Sequence, residues 1–161
     1  MLKPPPLKIF RIDRSIPLPL YATEGSVAMD MYSRTNVEIL PGEFARIPLN
    51  VVLVDYDPGV HPILVARSSL PEKKNLIVAN SIGLIDRDYA GKNDELQLLV
   101  FHLITRECVM DDKWNVPVVI HRGERIAQVE LIYYQRPQIV EVFEVEQRSR
   151  GGLGSTEGYF K

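Results

Sequence analysis

Apolar and polar side chains alternate with a period of two along most of the chain. Between positions 45 and 54 the apolar Ala45, Ile47, Leu49, Val51 and Leu53 alternate with Arg46, Pro48, Asn50, Val52 and Val54. Successive side chains of a strand point to opposite faces, so this run predicts a strand with one more apolar face. The same reading predicts strands over 7–12, 37–40, 63–66, 76–79, 96–104, 116–121, 126–134 and 139–145, where β-branched and aromatic residues are concentrated.

Turn chemistry separates these runs. Pro41-Gly42 can reverse the chain, and Asp57-Pro58-Gly59 and Arg122-Gly123-Glu124 punctuate it further. Helix signals are confined to 68–75, with Ser68 or Ser69 as a cap and Pro71-Glu72 in the first turn. Many short strands with at most one short helix predict an all-β sandwich or barrel.

With 161 residues of which 45% are hydrophobic, the chain has enough apolar surface for one ordinary domain. Nineteen basic against 21 acidic residues leave no global excess to hold a nucleic-acid backbone or an anionic membrane, so any polyanion site is local. A single cysteine, Cys108, excludes an internal disulfide and fits the cytoplasm. The longest apolar stretch, 96–104, falls short of the about 20 residues needed to span a bilayer. Three consecutive prolines, Pro4-Pro5-Pro6, preclude the apolar helix of a secretion signal and predict a short extended arm. The division expected is a β domain over 1–147 and a flexible glycine-rich arm over 148–161.

Several chemistries lack their residues. His61, His102 and His121 have no H-x-x-x-H or C-x-x-C partner and read as structural, and Cys108 reads as an inert thiol. Neither a G-x-S-x-G elbow nor the Gly-Lys-Ser/Thr of a P-loop is present. What remains is a set of islands: Ala28-Met29-Asp30, Ala66-Arg67-Ser68-Ser69-Leu70, the run from Gly83 to Gly91, Arg125-Ile126-Ala127-Gln128, and the tail. Taken singly, Arg67 reads as a surface charge, Asp86 and Asp88 as a solvated turn, and Gln128 as a half-buried strand residue.

Taken together, in this order, the islands resemble the five motifs of the trimeric dUTPases. Asn80, Gly83, Ile85, Asp86, Asp88, Tyr89 and Gly91 fall on the family's N-x-x-G-x-I-D-x-D-Y-x-G. Gly123-Glu124-Arg125-Ile126-Ala127-Gln128 is similar to G-D-R-I-A-Q, and 148–156 to R-G-x-G-G-F-G-S-T. The resemblance implies a distorted jelly roll with a swapped C-terminal tail, assembled as a homotrimer with shared active sites. It implies Mg²⁺-assisted hydrolysis of dUTP to dUMP and pyrophosphate by water attack on the α-phosphorus, which limits uracil in DNA and supplies dUMP for dTMP synthesis.

By the same resemblance Asp86 is the base that holds the attacking water. Tyr89 lies against the deoxyribose, where a ring leaves no room for a 2′-hydroxyl. Asn80 lies by the uracil, in a hairpin with Gly83 and Ile85 whose backbone groups can read the base edge; from local sequence Gly83 reads equally as a plain turn glycine. Arg67, Ser68, Ser69 and Gln128 line the triphosphate, and Arg148, Leu153, Gly154, Ser155 and Thr156 close over the substrate. Mg²⁺ is the implied cofactor, and Asp30 contacts it indirectly through metal-bound water.

The chain departs from the pattern at Leu153, where the family carries a phenylalanine over the base; Leu153→Phe is expected to tighten substrate binding, read as a lower KM. The stretches 92–95 and 102–115 are longer than usual and read as surface loops, with Val109, Met110 and Trp114 packing on their own loop. Two other readings compete. One is a dCTP deaminase, which shares the fold but needs a glutamate where Leu96-Gln97-Leu98 stands; the other is a non-catalytic nucleotide binder acting through a protein partner.

Overall fold

The computed structural model describes residues 5–145. Its strands are β1 (Lys8–Arg11), β2 (Met29–Tyr32), β3 (Val37–Ile39), β4 (Phe44–Pro48), β5 (Val51–Asp55), β6 (Val60–Ala66), β7 (Leu76–Val78), β8 (Gly83–Leu84), β9 (Gln97–His102), β10 (Val118–Ile120) and β11 (Arg125–Tyr133). They pair antiparallel in four small sheets: β2-β11-β6-β8, β4-β9-β7, β1-β5 and β3-β10. The inward faces meet in one core. Ile47, Leu76, Leu96, Leu98, Val100 and Ile120 lie fully inside it, each such side chain stabilising by about 1.5–3 kcal/mol. β9 keeps strict alternation, with Leu98, Val100 and His102 inward, and His102 Nδ1 bonds the carbonyl of Ile39 at 2.8 Å.

The all-β architecture is the one expected, with differences in detail. The 45–54 run is two strands, β4 and β5, because the chain turns at Asn50, whose φ is +68°. Asn50 is buried, and its side chain exchanges two hydrogen bonds with the Asp13 backbone at 2.7 and 2.9 Å. Leu49 and Val51 both reach the core across the turn, so the alternation runs through a break it cannot reveal.

The limit of one short helix is overturned. α1 (Ser69–Lys74) is joined by α2 (Arg106–Met110) and a 3-10 turn at Lys113–Asn115. Thr105 starts α2, its Oγ1 accepting from the Cys108 N–H at 3.4 Å. Val109 and Met110 stay 61% and 68% exposed on it, so the self-packing expected of them is not found. Nor does 139–145 form a strand: Ile139 and Phe143 are 96% and 93% exposed in the single protomer. Among the described residues no helix is long and apolar enough to cross a membrane.

Candidate active site

The order β2-β11-β6 brings three distant islands onto one sheet. Asp30 on β2 stands opposite Gln128 on β11, and Gln128 stands opposite Val65 near the end of β6, two residues before Arg67. Cross-strand neighbours share a face, so the three polar side chains converge. Gln128 Nε2 donates to Asp30 Oδ1 at 3.0 Å, Arg67 Nε reaches the same oxygen at 3.2 Å, and Arg125 Nη1 donates to Oδ2 at 3.1 Å. Asp30 is 1% exposed, so it serves as a buried counter-charge that aims two guanidinium groups at the surface.

Those groups open on a cleft of about 280 Å³ lined by Arg67, Ser69, Leu70, Lys73, Lys74, Glu124 and Arg125. Four cations stand against Glu124 and the Asp30 beneath, leaving two positive charges in excess. Lys74 is committed, bonding the Val119 carbonyl at 2.8 Å and Glu124 at 3.1 Å. Ser68 sits exposed at the start of α1 and makes no capping bond with its hydroxyl. Multiple donors around net positive charge suit a polyanion such as a phosphate chain.

Asp86 lies elsewhere, in an open cleft of about 950 Å³ lined by His61, Leu84, Ile85, Asp86, Arg87, Asp88, Tyr134 and Arg136. Between the two acids, Arg87 turns back onto the domain, donating to the carbonyls of Tyr56 and Asp57 at 3.2 Å and covering the Tyr56 ring at 5.1 Å. Tyr89 N–H closes the turn on the Asp86 carbonyl at 3.1 Å. With Arg87 anchored, Asp86 and Asp88 are left exposed. Burial pushes the Tyr56 hydroxyl above its ordinary range, an effect Arg87 opposes, and that hydroxyl has no partner among the described residues.

The hairpin holding Asn80 spans two sheets, because β7 pairs with β9 whereas β8 pairs with β6. Ser81 takes φ +65° at its tip beside the exposed Asn80. Gly83 sits in a tight place: a Cβ there would stand 3.1 Å from Leu64 Cβ, which would have to shift by a few tenths of an ångström. Ile85 is half-buried against the core, its N–H on the Pro62 carbonyl at 3.1 Å. Tyr89 is 38% exposed, and its hydroxyl donates to the Glu95 carbonyl at 3.0 Å.

The two clefts stand apart. Ile85 is bonded at Pro62 near the start of β6, whereas Arg67 follows its end at Ala66. Six residues of strand separate His61 from Arg67, roughly 20 Å at about 3.3 Å per residue. Asp30, Arg67 and Gln128 are therefore brought together, and Asp86, which follows Ile85 at the Pro62 end of β6, is not brought to them within one protomer, whereas the base hairpin lies along β6 with Gly83 opposite Leu64. Arg148, Leu153, Gly154, Ser155 and Thr156 lie outside the described residues.

Two features escaped the sequence. Arg125 shares Asp30 with Arg67, although its position in the fourth island was a signal. Glu95, expected on a surface loop, is 7% exposed and ion-paired to Arg34, with Nε to Oε1 at 2.8 Å and Nη2 to Oε2 at 2.9 Å; 92–95 is a loop as expected, with Lys92 and Asn93 exposed, and the correction is confined to Glu95. For a divalent metal the fit is indirect. Among the described residues no group of three His, Cys, Asp or Glu can hold one. Asp30 has three of its four acceptor positions occupied and is buried, which suits a contact through metal-bound water and not direct coordination.

The chain matches the dUTPase family model over residues 14–157. It is 34% identical over 163 residues to the deoxyuridine 5′-triphosphate nucleotidohydrolase of Shewanella sp. (strain MR-7), covering 96% of this chain and 97% of that one. In fold it is similar to the dUTPase of Staphylococcus bacteriophage 80alpha solved with dUpNHpp, at TM-score 0.76 and 22% identity over 94% of this chain and 98% of that one. It is also similar to a mutant dUTPase from phage phi11 of S. aureus, described as coordinating a structural Mg(II) ion, at TM-score 0.73 and 19% identity over 89% of this chain and 100% of that one. With the family model matching residues 14–157 and a relative 34% identical over nearly the whole of both chains, this chain belongs to the dUTPase family.

Proposed function

We propose that the protein hydrolyses dUTP to dUMP and pyrophosphate, in the cytoplasm, with Asp86 as the base that takes a proton from the water attacking the α-phosphorus. The observation that carries this reading is the cationic cleft in which a buried Asp30 holds Arg67 and Arg125. A triphosphate seated there is oriented by guanidinium, amide and hydroxyl donors from Arg67, Arg125, Gln128 and Ser69, with Ser68 at the start of α1. Asp30 would meet a phosphate-bound Mg²⁺ through water, and the ion would supply compensation for the phosphate charge. Tyr89 walls off the 2′ position, and Asn80, Gly83 and Ile85 present the hairpin that reads uracil. The tail residues Arg148, Leu153, Gly154, Ser155 and Thr156 close the site as the motif resemblance implies.

The acting unit on this reading is a homotrimer, with Asp86 of one copy facing the phosphate cleft of another. Its support is the separation of the two clefts along β6, too far for one phosphate chain to bridge, and the exposed apolar run 139–145, which a neighbouring copy would cover. The test is incubation with dUTP, dCTP, dTTP and UTP plus Mg²⁺ and separation of the products. Pyrophosphate and dUMP from dUTP alone is expected, with Asp86→Asn losing about 100-fold or more in kcat. Formation of dUTP from dCTP, or no turnover of any nucleotide, overturns the reading.

A further inference from the structure

Tyr89 is fixed in an unusual way. The residue is more than a third exposed, and its hydroxyl is tied to the main chain six residues on, at the Glu95 carbonyl. The intervening loop closes on itself, with Asp94 N–H on the Gly91 carbonyl at 2.9 Å and Gly91 N–H on Asp94 Oδ2 at 2.7 Å. The position of the ring therefore depends on how firmly Glu95 is held.

It is held by its carboxylate, both oxygens of which are engaged. Arg34 grips the carboxylate with two parallel bonds, and the Asn50 N–H adds a third to Oε1 at 2.8 Å. Arg34 is itself fixed by its N–H on the Pro48 carbonyl at 2.8 Å. The next residue, Leu96, is clamped on both sides of the Asn50 turn, its N–H on Val51 and its carbonyl accepting from Leu49, at 2.8 and 2.9 Å. A buried carboxylate with three charge-assisted or main-chain donors is a rigid post.

We propose that Glu95, gripped by Arg34 and Asn50, is a positioning residue for nucleotide selectivity: through the Tyr89 hydroxyl it holds the aromatic ring where a 2′-hydroxyl would have to fit. This rests on Tyr89 being the wall of the sugar pocket. Loss of the tether lets the ring swing about its side-chain torsions and admits ribose, while leaving the base and phosphate contacts in place.

The readout is the ratio of kcat/KM for dUTP to that for UTP, which general destabilisation does not move because it lowers both alike. Tyr89→Phe, which keeps the ring and removes the tether, is expected to lower the ratio about three- to tenfold, the span of one lost hydrogen bond. Arg34→Lys and Glu95→Gln are expected to lower it similarly, and Tyr89→Phe combined with Arg34→Lys no further than either alone. A ratio within twofold of the parent in Tyr89→Phe, beside a collapsed ratio in Tyr89→Ala, overturns the tether while sparing the wall. An unchanged ratio in Tyr89→Ala overturns both.

Discussion

Replacing Asp30 by asparagine changes one oxygen to an amide nitrogen and little else, yet it removes the counter-charge beneath two arginines. The excess charge of the cleft rises from two to three, and the new Nδ2 or the carbonyl it displaces must face a donor from Arg67, Arg125 or Gln128. Hydrogen bonds to a charged group are each worth about 1.5–3 kcal/mol, and breaking a buried pair costs about 3–5 kcal/mol. The guanidinium side chains are 30% and 43% exposed and can turn to water, which brings the expected loss to about 3 kcal/mol. For a chain of this size that is roughly a 6–12 °C fall in Tm by calorimetry. Released guanidinium groups lose their aim, so KM for dUTP should rise about tenfold with Mg²⁺ saturating. A variant that melts within about 2 °C of the parent, or that keeps the parent's KM at saturating Mg²⁺, refutes the argument.

Asn50→Ala combines a strained left-handed residue, about 1–2 kcal/mol, with two lost buried hydrogen bonds at about 1 kcal/mol each, whereas Asn50→Gly avoids the strain; urea melts should rank Ala below Gly, and the reverse order contradicts the geometry. Hydrogen bonds from Arg122 and Ser15 hold the Asp13 carboxyl well below its ordinary range of 3.8. A depressed carboxylate stabilises the fold above its unfolded value and loses that contribution as pH falls through the folded one, so Asp13→Asn should flatten the acid limb of stability below about pH 4, with the difference shrinking at about 1 M salt. Aspartate placed at both Ile139 and Phe143 should shift the sedimentation profile to monomer with the β domain still folded; an unaltered profile means that this run is not at an interface.

The strands were legible because half-buried sheets write a period of two, and β6, β9 and β11 were all found on that signal. Failures came where the same signal had more than one physical source. Leu49 and Val51 keep the alternation through the Asn50 turn because both point to the core, Leu49 from the turn itself and Val51 from the start of β5. The run 139–145 is as apolar as a strand but pairs with nothing among the described residues, so composition alone misled there. α2 was hidden because five residues with Cys108 alone buried carry no helical stripe, and its one local signal is the Thr105 cap.

The site divides along the same line. Residue types were readable island by island, but which acid serves which arginine was not: Asp30 and Arg125 are 95 positions apart, and only the adjacency of β2 and β11 makes them partners. The order β2-β11-β6-β8 places the first, fourth, second and third islands side by side, so motifs scattered along the chain occupy one sheet. That sheet presents them at its two ends, phosphate donors beyond Ala66 and Asp86 beside Pro62. A base must come within about 3–3.5 Å of its water, and that water equally close to phosphorus, so two ends of one strand cannot serve one substrate. On the proposed assignment of Asp86 and Arg67 to one substrate, symmetric association of identical chains would remove the conflict by setting one end of the sheet against the other end of its neighbour's. Their separation is then the geometric reason to expect an assembly, and dilution below its dissociation constant should abolish turnover in step with loss of the oligomer.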